Sequence, residues 1–392
     1  MSNKLYWVWA QNALGISPSI KTDEIVSYFG SAEALYFAGE YEWRVSGIFT
    51  GGQLEKLKTT GLERAQNIIS ECERYHISVV TPDDGAYPSM LFKLPNLPLV
   101  LYVRGNLDCL KNKISIAVVG ARHASENGVK IARSLSASLC RSGAVVVSGA
   151  AKGIDYAAHS GAMDAGGSTV AVLGCGFGAD YLPENESLRR DVASHGALVT
   201  EYPPRTPAYS YNFPFRNRII SGLSYGTIVI EANDKSGSLR TVGHAIDQGR
   251  DVFAVPGDIT SSMNVGTNRL LRDGAKPVFN AMDVLEEYAA RYPDLLDINQ
   301  IETVLKLDST EPEPTKAVKA EKKPVFRKPS VPQVVSGNAR LIFEAFSSET
   351  MQAEELILKT GLNTVDFLSA MTELEILGYI EPLAGKNYKI NQ

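Results

Sequence analysis

Apolar positions along the chain fall into distinct regimes. Up to about residue 75 they recur at helical spacing, as in Ile25, Val26 and Phe29 and again in Leu54 and Leu57. Gly15, Gly30, Gly47 and Gly61 punctuate these segments. The pattern predicts a small module of short helices over residues 1–75. Residues 76–110 read as an extended lead-in, carrying Asp83-Asp84-Gly85-Ala86-Tyr87-Pro88 and then Leu97-Pro98-Leu99-Val100-Leu101-Tyr102-Val103-Arg104-Gly105.

From Ile114 onward, short apolar runs alternate with longer helical ones. Ile114–Val119, Ala144–Val147, Thr169–Leu173, Ala197–Thr200, Thr227–Glu231 and Val252–Val255 read as strands, with Val129–Leu139 and Ile154–Ala165 as helices among them. Apolar strands spaced by helices predict a parallel sheet covered on both faces. The expected class is α/β, a Rossmann-like doubly wound sheet in a domain of residues 76–300. Strand order does not follow from the pattern.

Periodicity lapses over residues 309–334, where Pro312, Pro314, Pro324, Pro329 and Pro332 stand among Lys, Glu and Ser. This predicts a flexible linker, bounded at 301–334. Over 335–392 periodicity returns. Ala339–Phe346, Ala353–Lys359 and Thr364–Leu377 read as three helices, and Gly378-Tyr379-Ile380 and Tyr388-Lys389-Ile390 flank a turn at Gly385. That outline is a winged helix.

Composition narrows the function classes. A net charge of -5 argues against a diffuse, histone-like polycation. It leaves room for a localised basic groove, because the local patch governs phosphate binding. Cys72, Cys109, Cys140 and Cys175 lie far apart with no C-x-x-C, and the five histidines show no metal spacing. Neither a disulfide framework nor a metal site is expected, and a reducing, cytoplasmic setting is. The start of the chain carries no basic leader with a long apolar stretch, and no apolar run reaches the roughly 18 residues of a membrane span.

Ligands of parallel α/β sheets sit at the carboxyl ends of the strands. After the first strand come Gly120, for a tight turn, Arg122, which can fork onto a phosphate, and Ser125, a candidate N-cap leaving free amides. A capped helix with a surface arginine is the competing reading. After the second strand, Gly149 and Gly153 suggest another amide nest, and Lys152 would add charge. Asp155 is read as a helix cap and His159 as a packed histidine. In Asn212-Phe213-Pro214-Phe215-Arg216-Asn217-Arg218, arginines next to aromatics suit single-stranded nucleic acid, the former on phosphates and the latter on bases. Here too a core role for the aromatics competes, with only the arginines facing water. Ser236-Gly237-Ser238 at a further helix start is again anion-friendly. No Walker loop, G-x-S-x-G elbow or G-x-G-x-x-G pattern after the first strand is present. Several phosphate cradles without a nucleophile favour binding over catalysis, with no cofactor.

Taken in order, these stretches resemble the DprA/Smf family. The matches are Val118-Val119-Gly120-Ala121-Arg122, Ser148-Gly149 through Gly153-Ile154-Asp155 and Ala158-His159, and Val172-Leu173-Gly174-Cys175-Gly176. They continue with Glu201-Tyr202-Pro203, Phe213-Pro214 through Arg216-Asn217-Arg218-Ile219-Ile220, Glu231-Ala232, Ser236-Gly237-Ser238 and Val255-Pro256-Gly257. The resemblance is strong over residues 75–280 and weak at both ends.

It implies an extended Rossmann domain that binds single-stranded DNA and forms a homodimer. It also implies protection of incoming DNA in natural transformation and loading of a RecA-type recombinase. By the same match, Gly120, Arg122 and Ser125 are the first phosphate-binding residues, and Arg216 and Arg218 the second. The helical module 1–75, SAM-like or helix-hairpin-helix-like, either packs as an appendage or contacts DNA. Two positions depart from the family pattern. Lys152 stands where arginine is common, and Glu186 where a basic residue often follows Tyr181–Asn185, with Arg189 or Arg190 one turn away to compensate.

The winged-helix segment is acidic. Arg340, Lys359, Lys386 and Lys389 face Glu344, Glu349, Glu354, Glu355, Asp366, Glu373, Glu375 and Glu381, so four minus eight leaves -4. Such a balance suits protein contact or regulation better than duplex DNA. The rival function is a nucleotide-processing enzyme of the lysine-decarboxylase-like phosphoribohydrolase type. Those enzymes carry P-G-G-x-G-T-x-x-E, whereas Pro256-Gly257 here is followed by Asp258-Ile259-Thr260. A third reading, a transcription regulator acting through the winged helix, meets the same acidic balance.

Overall fold

The computed structural model describes residues 3–296, 335–347, 350–383 and 387–391. The chain divides into two compact units, Met1–Thr310 and Glu311–Gln392. The expected linker 301–334 and the turn at Gly385 lie outside the described residues.

The first unit opens with helices α1 (Asn3–Leu14), α2 (Thr22–Phe29), α3 (Ala32–Val45), α4 (Gly51–Thr59) and α5 (Glu63–Arg74). Local chemistry starts two of them. Ser31 caps α3, and Thr50 with Gln53 forms a reciprocal capping box on α4. The centre of the module is α1, with Trp7 and Trp9 fully buried. Their indole N–H groups donate to Asp83 Oδ2 at 2.8 Å and to the Thr60 carbonyl at 2.7 Å, so neither is stranded. Gln11 reaches into the next layer, donating to the Glu201 carbonyl at 3.0 Å and accepting from the Tyr102 hydroxyl at 3.0 Å. The helical module and the sheet therefore share one apolar core.

The chain continues through β1 (Ser78–Val80), β2 (Leu101–Gly105), β3 (Ser115–Val119), α6 (Glu126–Arg141), β4 (Val145–Ser148) and α7 (Ile154–Asp164). Next come β5 (Thr169–Leu173), α8 (Glu186–His195), β6 (Ala197–Thr200), α9 (Asn212–Gly222), β7 (Gly226–Val229) and α10 (Ser238–Asp247). Then β8 (Asp251–Ala254), α11 (Val265–Arg272), β9 (Lys276–Pro277) and α12 (Met282–Ala289) follow. One sheet results, in the order β1-β2-β6-β5-β4-β3-β7-β8-β9. From β6 to β9 every pairing is parallel, while β2 joins β6 and β1 joins β2 antiparallel.

Alternation along β3 shows why its strand reads as continuously apolar. Ala117 and Val119 face the core shared with the N-terminal helices, and Ile116 and Val118 face the core under α6, α7 and α12. From β3 the chain winds outward through β4, β5 and β6, then returns to place β7 on the other side of β3. The ends of β3 and β7 thus flank the topological switch point, where open α/β sheets form a crevice. The fifth predicted strand ends earlier than expected, at Val229, which frees Glu231 for the loop beyond it.

The second unit holds α13 (Gly337–Ala345), β10 (Thr350–Gln352), α14 (Ala353–Thr360), α15 (Thr364–Ile376), β11 (Ile380–Leu383) and β12 (Asn387–Ile390). Its antiparallel sheet runs β10-β12-β11. Phe343, Leu356, Phe367, Met371 and Leu374 form its core, and Ser336 and Asn363 cap α13 and α15. This is the expected winged helix, with β10 added to it.

Candidate nucleic-acid interface

An open cleft of about 660 Å³ lies at the switch point. The loop after β3 contributes Gly120, Arg122 and His123; the loop after β7 contributes Lys235, Ser236 and Gly237, and the first turn of α10 Ser238 and Arg240. Phe213, Arg216 and Asn217 of α9 form a wall, with Tyr181 and Asp155. Four cations therefore meet one carboxylate, in a chain whose total charge is negative.

The loop after β3 is held from below. Gly153, just before α7, has φ +73°, and a Cβ there would sit 2.4 Å from the Ala121 carbonyl oxygen and 2.6 Å from that of Arg122. Only glycine allows that approach in that conformation. The Ile154 N–H donates to the Ala121 carbonyl at 3.2 Å, and Gly120 passes against the Ile154 side chain. Arg122 is carried by this fixed loop. Its side chain is exposed, 5.9 Å from the Phe213 ring centroid, and it pairs with no carboxylate among the described residues.

Ser125 caps α6, accepting from Gly128 N–H at 2.9 Å. The anion at that helix end, however, is the protein's own. Ser125 N–H donates to Glu231 Oε2 at 2.9 Å and its hydroxyl to Oε1. A Cβ on Gly128 would lie 2.3 Å from the Glu231 carboxyl carbon, so the missing side chain leaves the carboxylate its seat. The free amides expected at Ser125 are occupied because an internal carboxylate already complements the helix dipole.

The same holds after β4. Asp155 does not cap its own helix; Oδ2 turns back to accept from Gly149 N–H at 3.2 Å and Ala151 N–H at 3.4 Å. The amide nest expected there is filled. Lys152 is exposed and its ammonium pairs with Glu184, whose carboxyl the contact holds below the usual range. It does not line the cleft. His159 is packed, as expected. Its Nδ1 lies 2.7 Å from Thr169 Oγ1, whose proton goes to the Val146 carbonyl, so Nδ1–H is the donor.

On α9 the arginines, expected to face water in either reading, do not. Arg216 and Arg218 are buried, while Phe213 and Phe215 are half-buried. Arg216 donates to the carbonyls of Gly149, at 3.0 Å, and Val172, and so caps the ends of β4 and β5. Asn217 lines the cleft and accepts from Arg216 Nε at 3.2 Å. Arg218 points the other way, to Glu201 Oε1 at 2.8 Å, over the Phe215 ring and beside Gln11. Two residues apart on a helix, the arginines diverge by about 200°. Arg218 is therefore shut off from the cleft.

The helix end without an internal acid is that of α10, where Ser238 N–H donates only to the Ser236 hydroxyl, at 3.4 Å. Gly237 at its N-cap supplies no side-chain cap and no acidic residue stands in its first turn. Ser236 and Ser238 bond each other at 2.8 Å. Exposed Lys235 and Arg240 flank this end, with Arg122 entering from the β3 loop. Tyr181 packs on Phe213 with centroids 4.7 Å apart, making an aromatic wall beside the cations. Lys235, Arg240 and Tyr181 are not among the residues that the sequence motifs single out. The two cations bracket Ser236-Gly237-Ser238 in the sequence; nothing local marks Tyr181, which arrives from the β5 loop.

The family model for DNA recombination-mediator protein A matches residues 78–289, and that for the DprA winged helix domain matches 327–386. Protein Smf of Synechocystis is 31% identical over 99% of both chains. DNA processing protein DprA of Streptococcus pneumoniae is 42% identical over 52% of this chain and 72% of its own. The X-ray structure of that S. pneumoniae protein superposes with a TM-score of 0.63 at 32% identity, covering 73% of this chain and 98% of its own. A Helicobacter pylori DNA processing protein A, solved for its single-stranded DNA binding mode, gives 0.50 at 27% identity over 55% of this chain and 98% of its own. With its central domain and its winged helix both matched in order, this chain belongs to the DNA recombination-mediator protein A family.

Proposed function

We propose that this protein binds single-stranded DNA through phosphates docked in the switch-point cleft, and passes the protected strand to a RecA-type recombinase. One observation carries the reading: a helix end without an internal acid, α10, opens into a cleft where exposed Arg122, Lys235 and Arg240 have no carboxylate partners among the described residues. Phosphates dock on these three cations at the positive end of the α10 dipole. Arg216 adds buried positive charge to the wall, and Tyr181 with Phe213 offers ring surface for a base. A duplex hides its base faces and would gain only the charge term, which favours single strands.

Of the residues singled out in the sequence, Gly120, Arg122, Asn217, Ser236, Gly237 and Ser238 belong to this contact surface. Gly149, Gly153, Ser125 and Arg216 shape it, and Lys152 and Arg218 stand outside it. Binding involves no chemical step, a reading supported by the commitment of Asp155 to two backbone amides. The protein acts in the cytoplasm as a homodimer. Exposed Phe279, two residues past the short edge strand β9, supplies apolar surface for such pairing.

The test is fluorescence anisotropy with a labelled oligonucleotide, single-stranded against duplex, followed by recombinase filament nucleation on the protein-bound strand. Preferential, salt-sensitive binding of the single strand and faster nucleation are expected. Equal affinity for both forms, or none, would remove the reading and direct attention to nucleotide turnover.

A further inference from the structure

A second open cleft, of about 410 Å³, lies on the far side of Tyr181 from the switch point. It runs between α8 and the loop after β5, over Leu173 and Leu198. Three arginines enter it: Arg104 from β2, and Arg189 and Arg190 from α8. Arg104 is half-buried, its guanidinium 4.9 Å from the Phe177 ring centroid. None of the three has a carboxylate within ion-pair distance among the described residues, although Asp180 and Glu186 also line the cleft.

Their tasks differ. Arg189 donates to the carbonyls of Tyr181 at 3.0 Å and Leu182 at 3.2 Å, and so fixes the loop that carries Tyr181. Arg104 and Arg190 have no such duty among the described residues. The half-buried guanidinium of Arg104 loses hydration, and the fold offers it the Phe177 ring but no counter-ion. In a cleft, that is the signature of a seat for an external anion.

Tyr181 lines both clefts, and its ring rests on Phe213. The two basic clefts are thus separated by one aromatic ridge. A small anion would use either alone. A polyanion with stackable bases is the ligand whose repeat fits cation, ring and cation in succession. We propose that the second cleft continues the single-strand track: nucleotides leaving the switch point pass over Tyr181, and Arg104 and Arg190 take their phosphates. The proposal rests on the reading of the first cleft.

The experiment uses the full-length protein and oligothymidylates from about 4 to about 16 nucleotides. Wild type is compared with the double variant Arg104→Ala/Arg190→Ala. Short oligomers are expected to bind both alike. Long oligomers should bind the variant several-fold more weakly, with a log–log salt slope shallower by about 1.4, for two single-strand phosphates. Arg104→Lys/Arg190→Lys should restore the slope, since it keeps the charge. Unchanged affinity and slope for long oligomers would overturn the proposal while leaving the first cleft intact. Equal weakening at every length together with a lowered melting temperature would make the arginines structural, and overturn it too. So would length-independent binding of thymidine monophosphate that depends on the same arginines, which would mark a mononucleotide site. A wild type that binds no oligomer of any length would refute the underlying reading as well.

Discussion

Arg216 and Arg218 stand two positions apart, and their sequence context groups them as phosphate ligands, yet the helix sends one to the strand ends and the other to the N-terminal module. Both are buried, and each has found an internal partner. The Arg218–Glu201 pair is sealed, with side-chain exposures of 7% and 5%. Truncating one partner of such a pair leaves the other charge uncompensated. Glu201→Ala should therefore cost about 3–5 kcal/mol in urea unfolding, and Arg218→Ala a similar amount. A loss below about 1 kcal/mol, the level of an exposed pair, would mean that the contact is solvated.

His159 makes a different prediction. Burial first, and the nearby Arg216 charge second, push its imidazole down to about 3. The folded form keeps it neutral, whereas the unfolded chain takes up a proton below about 6.5. Stability from this residue is therefore complete above 6.5 and is lost as pH falls toward 3. Between pH 7.5 and pH 5 the loss is about 2 kcal/mol. Asp155 has the opposite sign, since burial raises its carboxyl and favours the folded state as pH falls. The test is consequently the difference between wild type and His159→Gln in urea unfolding at the two pH values. A pH dependence identical in both proteins would contradict the assignment.

At the scale of elements, strands and helices of the central domain were legible because their apolar runs differ in length and period. The anion seats were harder to read. Three strand-to-helix turns look alike in sequence: glycine, a small polar residue and a nearby cation. Two of them turn out to be filled, by Glu231 at α6 and by Asp155 beneath the β4 loop, because a carboxylate distant in sequence, or one helical turn on, folds back onto the amides. Only the third, α10, lacks an internal acid. That distinction depends on tertiary placement of two carboxylates, which no local pattern carries. The Arg122 loop, by contrast, depends on Gly153, whose left-handed φ and close approach to two carbonyls exclude any side chain. Gly153→Ala should cost at least about 1–2 kcal/mol for the conformation alone. It should also weaken single-strand binding, by displacing Arg122. A variant with native melting temperature and native affinity would show that the loop is held otherwise.

For the whole molecule, the net charge conceals the division of labour. The first unit concentrates cations at one sheet edge, whereas residues 335–392 carry a charge of -4 and display exposed Val365 and Ile376 on α15. That surface suits a protein partner. A chain ending at residue 310 should therefore keep its single-strand affinity and salt slope within about two-fold, a difference of about 0.4 kcal/mol. A loss of ten-fold or more would place the winged helix in the DNA-binding surface. The winged-helix outline and the α/β class of the central domain could both be read from periodicity. Strand order could not, because it is set by which helices cross which face, and the switch point that locates the cleft follows from that order.

The central claim is that the switch-point cleft holds the strand by its phosphates, with Arg122 touching one directly. The most direct measurement is the salt dependence of single-strand affinity for wild type and Arg122→Ala. The account predicts weaker binding by the variant and a log–log slope shallower by about 0.7 for each phosphate that the variant leaves unneutralised. Unchanged affinity with an unchanged slope would contradict it.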